Sequence, residues 1–146
     1  MKKLVGISLQ KIHPDSTTIS RLLVAAARNL LDAYVTEISL ENRFDAAYKS
    51  VMQSANAALQ ASGYRTLTSK PGHHQTMLQL LTKTAGVDRE TVIILDALRR
   101  QRNVVDYSGD LVPHSAVKEC VSQADYLIKQ VRYWISTHHP KLIIPD

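Results

Sequence analysis

The stretch of sequence that decides the fold is residues 39–63, which reads SLENRFDAAYKSVMQSANAALQASG. Its apolar residues return every three or four positions over roughly four turns, so they form one stripe along one face of a helix. They are Phe44, Ala47, Tyr48, Val51, Ala55, Ala58 and Leu59. Ser39 is a typical N-cap, Glu41 places an acid in the first turn, and Gly63 is a typical C-terminal stop. The stretch predicts one long amphipathic helix.

On either side of this helix, glycine and proline residues divide the chain into further helical segments. Residues 15–38 are apolar around much of the helix circumference, so we expect this first helix to be central or to lie at an interface. After a loop over residues 63–72, a short third helix ends at Gly86. A fourth helix is predicted over residues 88–108 and a last one from about residue 114 to 138.

The fold class that follows is all-α. No segment shows the sustained period-two alternation of strands, and the short connections favour a mostly antiparallel bundle of four longer helices plus one short helix. The 146 residues match a common single-domain size, and no repeat or long linker divides them. We therefore expect one domain over residues 1–146.

Composition predicts a cytoplasmic protein that spans no membrane. No apolar run approaches the roughly 18 residues that a span needs, and the first residues lack an apolar stretch of signal length. Cys120 is the only cysteine, which excludes an intrachain disulfide and a cysteine-rich zinc site. Lys and Arg number 18 against 13 Asp and Glu, a net charge of +5. This excess mildly favours anionic partners, although ordinary surface charge is the better-supported explanation of it.

Arg102 interrupts the apolar stripe of the fourth helix, at the position that completes the series from Leu98 to Val105. An inward guanidinium is costly without a partner, so Arg102 must pair with an acid, bind an anion or lie at a wet edge of the bundle. Asp106 is one turn away and can reach it. The alternative is an ordinary charge cluster near a helix end, because Arg99 and Arg100 lie within reach of Asp96.

The segment LRRQRNVVDY at residues 98–107 resembles the signature helix of HEPN domains, the higher-eukaryote and prokaryote nucleotide-binding family. Within it, Arg102 and Asn103 match the Arg-polar pair of that family. Three further segments resemble a bacterial branch of the family: RFDAAY at 43–48, the passage that runs from AAL at 57–59 to GYR at 63–65, and GHH at 72–74.

This resemblance implies a helical homodimer whose two signature segments face each other across a cleft for nucleotide or RNA. It also implies a metal-independent ribonuclease chemistry without cofactors, in a toxin or defence role, with an antitoxin or a nucleotidyltransferase as a partner. Active members place a histidine four to six residues after the arginine. Such a base takes the ribose 2′-hydroxyl proton while the guanidinium holds the phosphate. The nucleotide- or RNA-binding candidates are Tyr48, Arg65, Arg99, Arg102, Asn103, Asp106 and Tyr107.

The chain departs from this pattern because Tyr107 stands where active members have the histidine. A tyrosine with a pKa of about 10 is a poor base at pH 7. Either a histidine comes from elsewhere, with His73 and His74 as the best candidates, or the cleft binds without cleaving. Tyr107 could instead hydrogen-bond a phosphate, stack on a base or accept a nucleotide. The catalytic candidates are therefore Arg102, Tyr107, His73 and His74.

Three functional hypotheses remain at this point. The first is a HEPN-like nucleotide- or RNA-binding module with weak or no catalysis, and the second is an active HEPN ribonuclease toxin. The third is a protein-interaction module in which Arg102 forms a structural ion pair. We expect no metal site, because His138 and His139 point apart on a helix and no metal-binding motif is present.

Overall fold

The structure, a computed structural model that describes residues 1–69, 71–108 and 111–143, confirms the all-α fold class. The side chains of residues 106–108 are outside this description. The helices are α1 (Ser16–Ala33), α2 (Leu40–Ala61), α3 (His73–Gln79), α4 (Leu81–Thr84), α5 (Arg89–Ser108) and α6 (His114–His138). Strands β1 (Leu9–Lys11) and β2 (Tyr64–Thr66) and two short 3-10 helices (Lys2–Leu4 and Pro140–Leu142) complete the described elements.

Helix α2 has the predicted boundaries and occupies the centre of the fold. The Ser39 hydroxyl accepts the backbone N–H of Asn42 at 3.1 Å, and Gly63 ends the helix with a left-handed φ of +94°. Helices α1 and α6 make the largest packing interfaces with α2. Burial extends beyond the predicted stripe, since Ser50 is also buried and donates its hydroxyl to the Ala26 carbonyl at 2.8 Å. Small side chains along α2 allow this close packing on two sides.

Helix α1 lies against α2 with one face and leaves an apolar strip on the other. Its carboxylate cap is Asp15, which accepts the backbone N–H groups of Thr17 and Thr18. The buried face consists of Ile19, Leu23, Ala26, Leu30 and Ala33. Val24 and Leu31 are exposed on the opposite side. The first helix is therefore not the central one, and it ends at Ala33, five residues before the predicted boundary.

Two local predictions need correction. The predicted loop over residues 63–72 contains β2, which pairs antiparallel with β1 and places Leu9 opposite Thr66. Strands of three residues are too short to show a period-two pattern. The short third helix is divided at Leu80 into α3 and α4, and it begins at His73, earlier than its apolar residues indicate.

The last two helices follow the predicted segments closely. Cys120 is buried in α6, where burial raises the pKa of its thiol to about 12, so the thiol stays protonated at neutral pH. Trp134 on the same helix stacks on His138 with ring centroids 3.7 Å apart. Within the described ranges, no helix combines the length and apolarity needed to cross a membrane.

Candidate functional site

A pocket of about 390 Å³ opens where α2, α3 and α5 meet the segment that follows β2. Its wall on α2 has a regular spacing, because residues 49, 52, 53 and 56 lie on one helix face. The pocket is lined by Tyr48, Lys49, Met52, Gln53, Asn56, Thr66, Thr68, His73, His74, Met77 and Arg102. Two histidines, two permanent cations and several hydroxyl and amide groups therefore share one concave surface. We call it the Tyr48 pocket.

Arg102 reaches this pocket from α5 and is held there by α2. Its Nε donates to Oδ1 of Asp45 at 3.3 Å, and its guanidinium carbon lies 4.9 Å from the centre of the Tyr48 ring. Its side chain is 26% exposed, which matches the predicted wet edge of the bundle. The cation thus has an acidic neighbour and an aromatic face, two interactions that hold a guanidinium in a defined position.

Asp45 is the acid that sequence reasoning missed. It is 57 positions from Arg102 in the chain and also lies 3.2 Å from Nζ of Lys49. The sequence pointed to Asp106, whose side chain is outside the described residues. In the sequence, Asp45 could be recognised only as a member of an ion pair, because it precedes Lys49 by one helical turn.

His74 forms a hydrogen bond with Tyr48, and both residues line the pocket. Its Nδ1 lies 3.0 Å from the Tyr48 hydroxyl oxygen. Burial lowers the pKa of His74, and the charges of His73, Arg102 and Arg99 lower it further. Burial also raises the pKa of Tyr48 to about 12. At pH 7 the imidazole is therefore neutral and the phenol keeps its proton.

A neutral His74 can use the Tyr48 contact in two ways. When Nδ1 carries the proton and donates to the phenol oxygen, the lone pair on Nε2 is available as a base. When the phenol donates to Nδ1, Nε2 carries the proton and becomes a donor. The first arrangement suits proton abstraction and the second suits binding of an anion. His73 contacts the ring of His74 edge-on, with centroids 4.6 Å apart, so both rings line the same wall.

Several predicted site residues lie away from the pocket. Arg99 donates through Nε to Asp96 at 2.8 Å, and Arg100 contacts the same carboxylate at 2.7 Å. Arg65 donates to the Gln10 side chain at 2.9 Å across the β1–β2 ladder. Asn103 is exposed and is not part of the pocket wall.

Tyr107 and Asp106 fall among the side chains outside the described residues. The structure therefore brings together Tyr48, His73, His74 and Arg102. Arg65, Arg99 and Asn103 do not line this pocket.

Other pocket residues were not singled out from the sequence. Lys49, Gln53 and Asn56 follow Tyr48 at helical spacing, so extending the face of α2 would have found them. Thr66 and Thr68 depend on the position of β2, which the sequence did not predict. These residues add hydroxyl and amide groups around the apolar side chains of the two methionines, Met52 and Met77.

A larger groove of about 560 Å³ runs along the outer face of α1 but lacks this chemistry. Its lining comes from one helix, and Arg21 and Arg28 are its only charged members. In the part of the chain that the structure describes, no three His, Cys, Asp or Glu residues are placed to hold a metal ion. The Tyr48 pocket is therefore the candidate site, with chemistry that suits a phosphate group and an attached ring.

Comparison with known proteins adds no relative: no family model matches the chain, and neither curated proteins nor solved structures give a significant match. The resemblance of residues 98–107 to the HEPN signature remains a hypothesis.

Proposed function

We propose that this protein is a HEPN-like module that binds a nucleotide or single-stranded RNA in the Tyr48 pocket. The observation that carries the proposal is the convergence of Arg102, His73 and His74 on one open pocket. A phosphate is bound well by a guanidinium and by donor groups around it, and a base packs against apolar and aromatic side chains.

The charge around the pocket supports an anionic ligand. Arg102 and Lys49 together carry two positive charges, and both contact the single carboxylate of Asp45. Arg102 and Lys49 are the positively charged side chains of the described pocket lining, in which no carboxylate takes part. A phosphate that enters the pocket meets these two cationic side chains, and salt should weaken its binding because the contacts are screened and counterions are released.

The binding test compares two arginines of α5. Fluorescence anisotropy with a labelled single-stranded RNA should show that Arg102→Ala weakens binding by about tenfold or more, since one charged contact contributes roughly 1.5–3 kcal/mol. Arg100→Ala is the matched control, because this side chain is 72% exposed, contacts Asp96 and does not line the pocket. It removes the same charge and should change affinity by no more than a small factor.

Equal affinities for the wild type and Arg102→Ala would remove Arg102 from the site. The Arg102–Asp45 contact would then be a structural ion pair, and the protein-interaction hypothesis would take its place.

RNA cleavage is a second candidate function, favoured by the position of His74. In this reaction the ribose 2′-oxygen attacks the adjacent phosphorus while Nε2 of His74 takes its proton. The bond from phosphorus to the 5′-oxygen breaks, a 2′,3′-cyclic phosphate forms, and the leaving oxygen takes a proton from water. Arg102 would hold the phosphate, and no metal takes part.

The proposal also includes a cytoplasmic location, a homodimer and a partner protein such as an antitoxin or a nucleotidyltransferase. The exposed strip on α1 supports the homodimer. Arg28 and Asp32 are exposed one turn apart on this helix, so an antiparallel pairing of two copies places opposite charges side by side.

A further inference from the structure

Two amide side chains on the wall of the Tyr48 pocket are hydrogen-bonded to amides of neighbouring residues. Oε1 of Gln53 accepts a hydrogen bond from Nδ2 of Asn29 at 2.8 Å. Oδ1 of Asn56 accepts from Nε2 of Gln60 at 3.2 Å, one turn further along α2. Neither Asn29 nor Gln60 lines the pocket. Both carbonyl oxygens are thus directed to neighbours outside the pocket, and the NH₂ group is what each amide offers to a ligand.

The position of these amides suits the base of a nucleotide. Lys49 and Arg102 provide the cationic end of the pocket. Gln53 lies four residues after Lys49 on α2, which is about 6 Å along the helix axis at a rise of about 1.5 Å per residue. Met52 and Met77 supply apolar, polarizable surface beside the amides. A nucleotide whose phosphate contacts Arg102 can therefore place the edge of its base against Gln53 and Asn56.

We infer that the Tyr48 pocket selects keto bases, meaning those with a carbonyl oxygen at the 4-position of a pyrimidine or the 6-position of a purine (uracil, guanine and hypoxanthine), over cytosine and adenine, which carry an amino group there. This inference rests on the proposed function. Two NH₂ donors pair with the carbonyl oxygens of keto bases. The exocyclic amino group of adenine or cytosine places a donor at that position instead, so a donor of the protein faces a donor of the base there.

The sharpest test uses nucleotide pairs that differ at the exocyclic group and the adjacent ring nitrogen. NMR titrations of the full chain with UMP against CMP, and with IMP against AMP, give two affinity ratios that cancel the phosphate and ribose contributions. We expect the keto member to bind about tenfold more tightly in each pair, since one well-made base contact discriminates by roughly 5- to 150-fold.

Variants outside the pocket test the role of the amide orientation. Asn29→Ala and Gln60→Ala release the two amides, so both affinity ratios should move towards one while the affinity for inorganic phosphate stays the same. Gln53→Glu replaces a donor with an acceptor. It should weaken binding of all four nucleotides through its charge, and shift the preference towards CMP and AMP. A purely structural role of these residues would change all affinities together and leave the ratios fixed.

Each outcome has a clear consequence. Equal affinities within both pairs, or tighter binding of CMP and AMP by the wild type, would overturn the inferred selectivity and leave the proposed function standing. Ratios unchanged in Asn29→Ala, Gln60→Ala and Gln53→Glu would overturn it as well. Failure of all four nucleotides to bind would overturn this inference. Failure of the labelled RNA to bind as well, or binding unaffected by Arg102→Ala, would overturn the proposed function too.

Discussion

The hydroxyl of Tyr48 lies 3.0 Å from Nδ1 of His74, although the two residues are 26 positions apart and belong to different helices. The same Tyr48 ring lies under the guanidinium of Arg102. One aromatic side chain therefore positions both the imidazole and the cation of the candidate site. A substitution at any one of the three residues should therefore alter the position or the pKa environment of the other two.

Arg102→Gln should raise the pKa of His74. Burial is the main reason that this pKa lies below its ordinary value of 6.5, and positive neighbours, Arg102 among them, lower it further. Removing the guanidinium charge makes the protonated imidazole less unfavourable. NMR titration of the imidazole resonances measures the change directly. Arg100→Gln serves as the control, and an equal or larger shift in it would contradict the role given to Arg102.

Asp96→Asn should destabilise the fold at neutral pH. Asp96 is 8% exposed and accepts from both Arg99 and Arg100. Burial acts to raise the pKa of this carboxyl, but the hydrogen bonds from the two guanidinium groups outweigh burial and hold the pKa below 3.8. The folded state therefore favours the charged form. Its contribution to stability is full well above pH 3.8 and is lost as the pH falls through the lower folded value.

We expect Asp96→Asn to lower the free energy of unfolding by about 1–3 kcal/mol at pH 7, and by less at an acidic pH below 3.8. Urea unfolding at the two pH values measures both differences. Asp125→Asn is the comparison, because its ion pair with Lys129 is exposed and contributes about 0–1 kcal/mol. A similar small loss in the two variants at pH 7 would contradict the structural role of Asp96.

Gly86→Ala should cost more stability than Gly6→Ala. Both glycines have left-handed φ angles, +65° and +83°, so an alanine is strained at either position by about 1–2 kcal/mol. A Cβ at Gly86 would lie 2.5 Å from Cζ3 of Trp134, whereas one at Gly6 meets nothing within 4 Å. The overpacking adds roughly 1–3 kcal/mol. Thermal unfolding of the two variants measures this difference, and equal losses would show that Trp134 moves aside without cost.

The local features of this fold were predictable and the non-local ones were not. Ser39 and Gly63 act on their own helix, so the sequence alone located the ends of α2. The pairing of Leu9 with Thr66 joins segments that carry no periodic signal. Arg102 was recognised because it broke an apolar stripe, but its partner Asp45 lies on another helix. The pocket required both the pairing of the strands and the approach of α3 to α5, and neither is encoded in a local pattern.

The homodimer predicted from α1 should depend on Leu31. This side chain is 69% exposed within the strip that also includes Val24 and Tyr34. Light scattering at micromolar concentration should show a dimer for the wild type, and Leu31→Arg should shift the mass to that of a monomer without unfolding the chain. Ile93→Arg is the matched control on α5, because Ile93 is 68% exposed. A monomeric wild type, or an equal effect of both variants, would contradict a dimer through α1.

Under the proposed HEPN-like function, Tyr107→His should increase RNA cleavage, because Tyr107 stands where the signature that residues 98–107 resemble has its histidine. A spacing of five residues from Arg102 corresponds to about 140° on a regular helix of about 3.6 residues per turn, which allows two side chains to flank one phosphate. A positioned base contributes typically 10²–10⁴-fold, which sets the largest gain to expect. The assay follows 2′,3′-cyclic phosphate products from RNA in the presence of EDTA, with Arg102→Ala in the same background as the inactive control.

Rapid cleavage by the wild type that is lost in His74→Ala would instead identify His74 as the base, and the preference for a weakly catalytic or non-catalytic module would be wrong. Retention of tight RNA binding in His74→Ala would then separate loss of the base from loss of the site, since the phosphate contact of Arg102 remains.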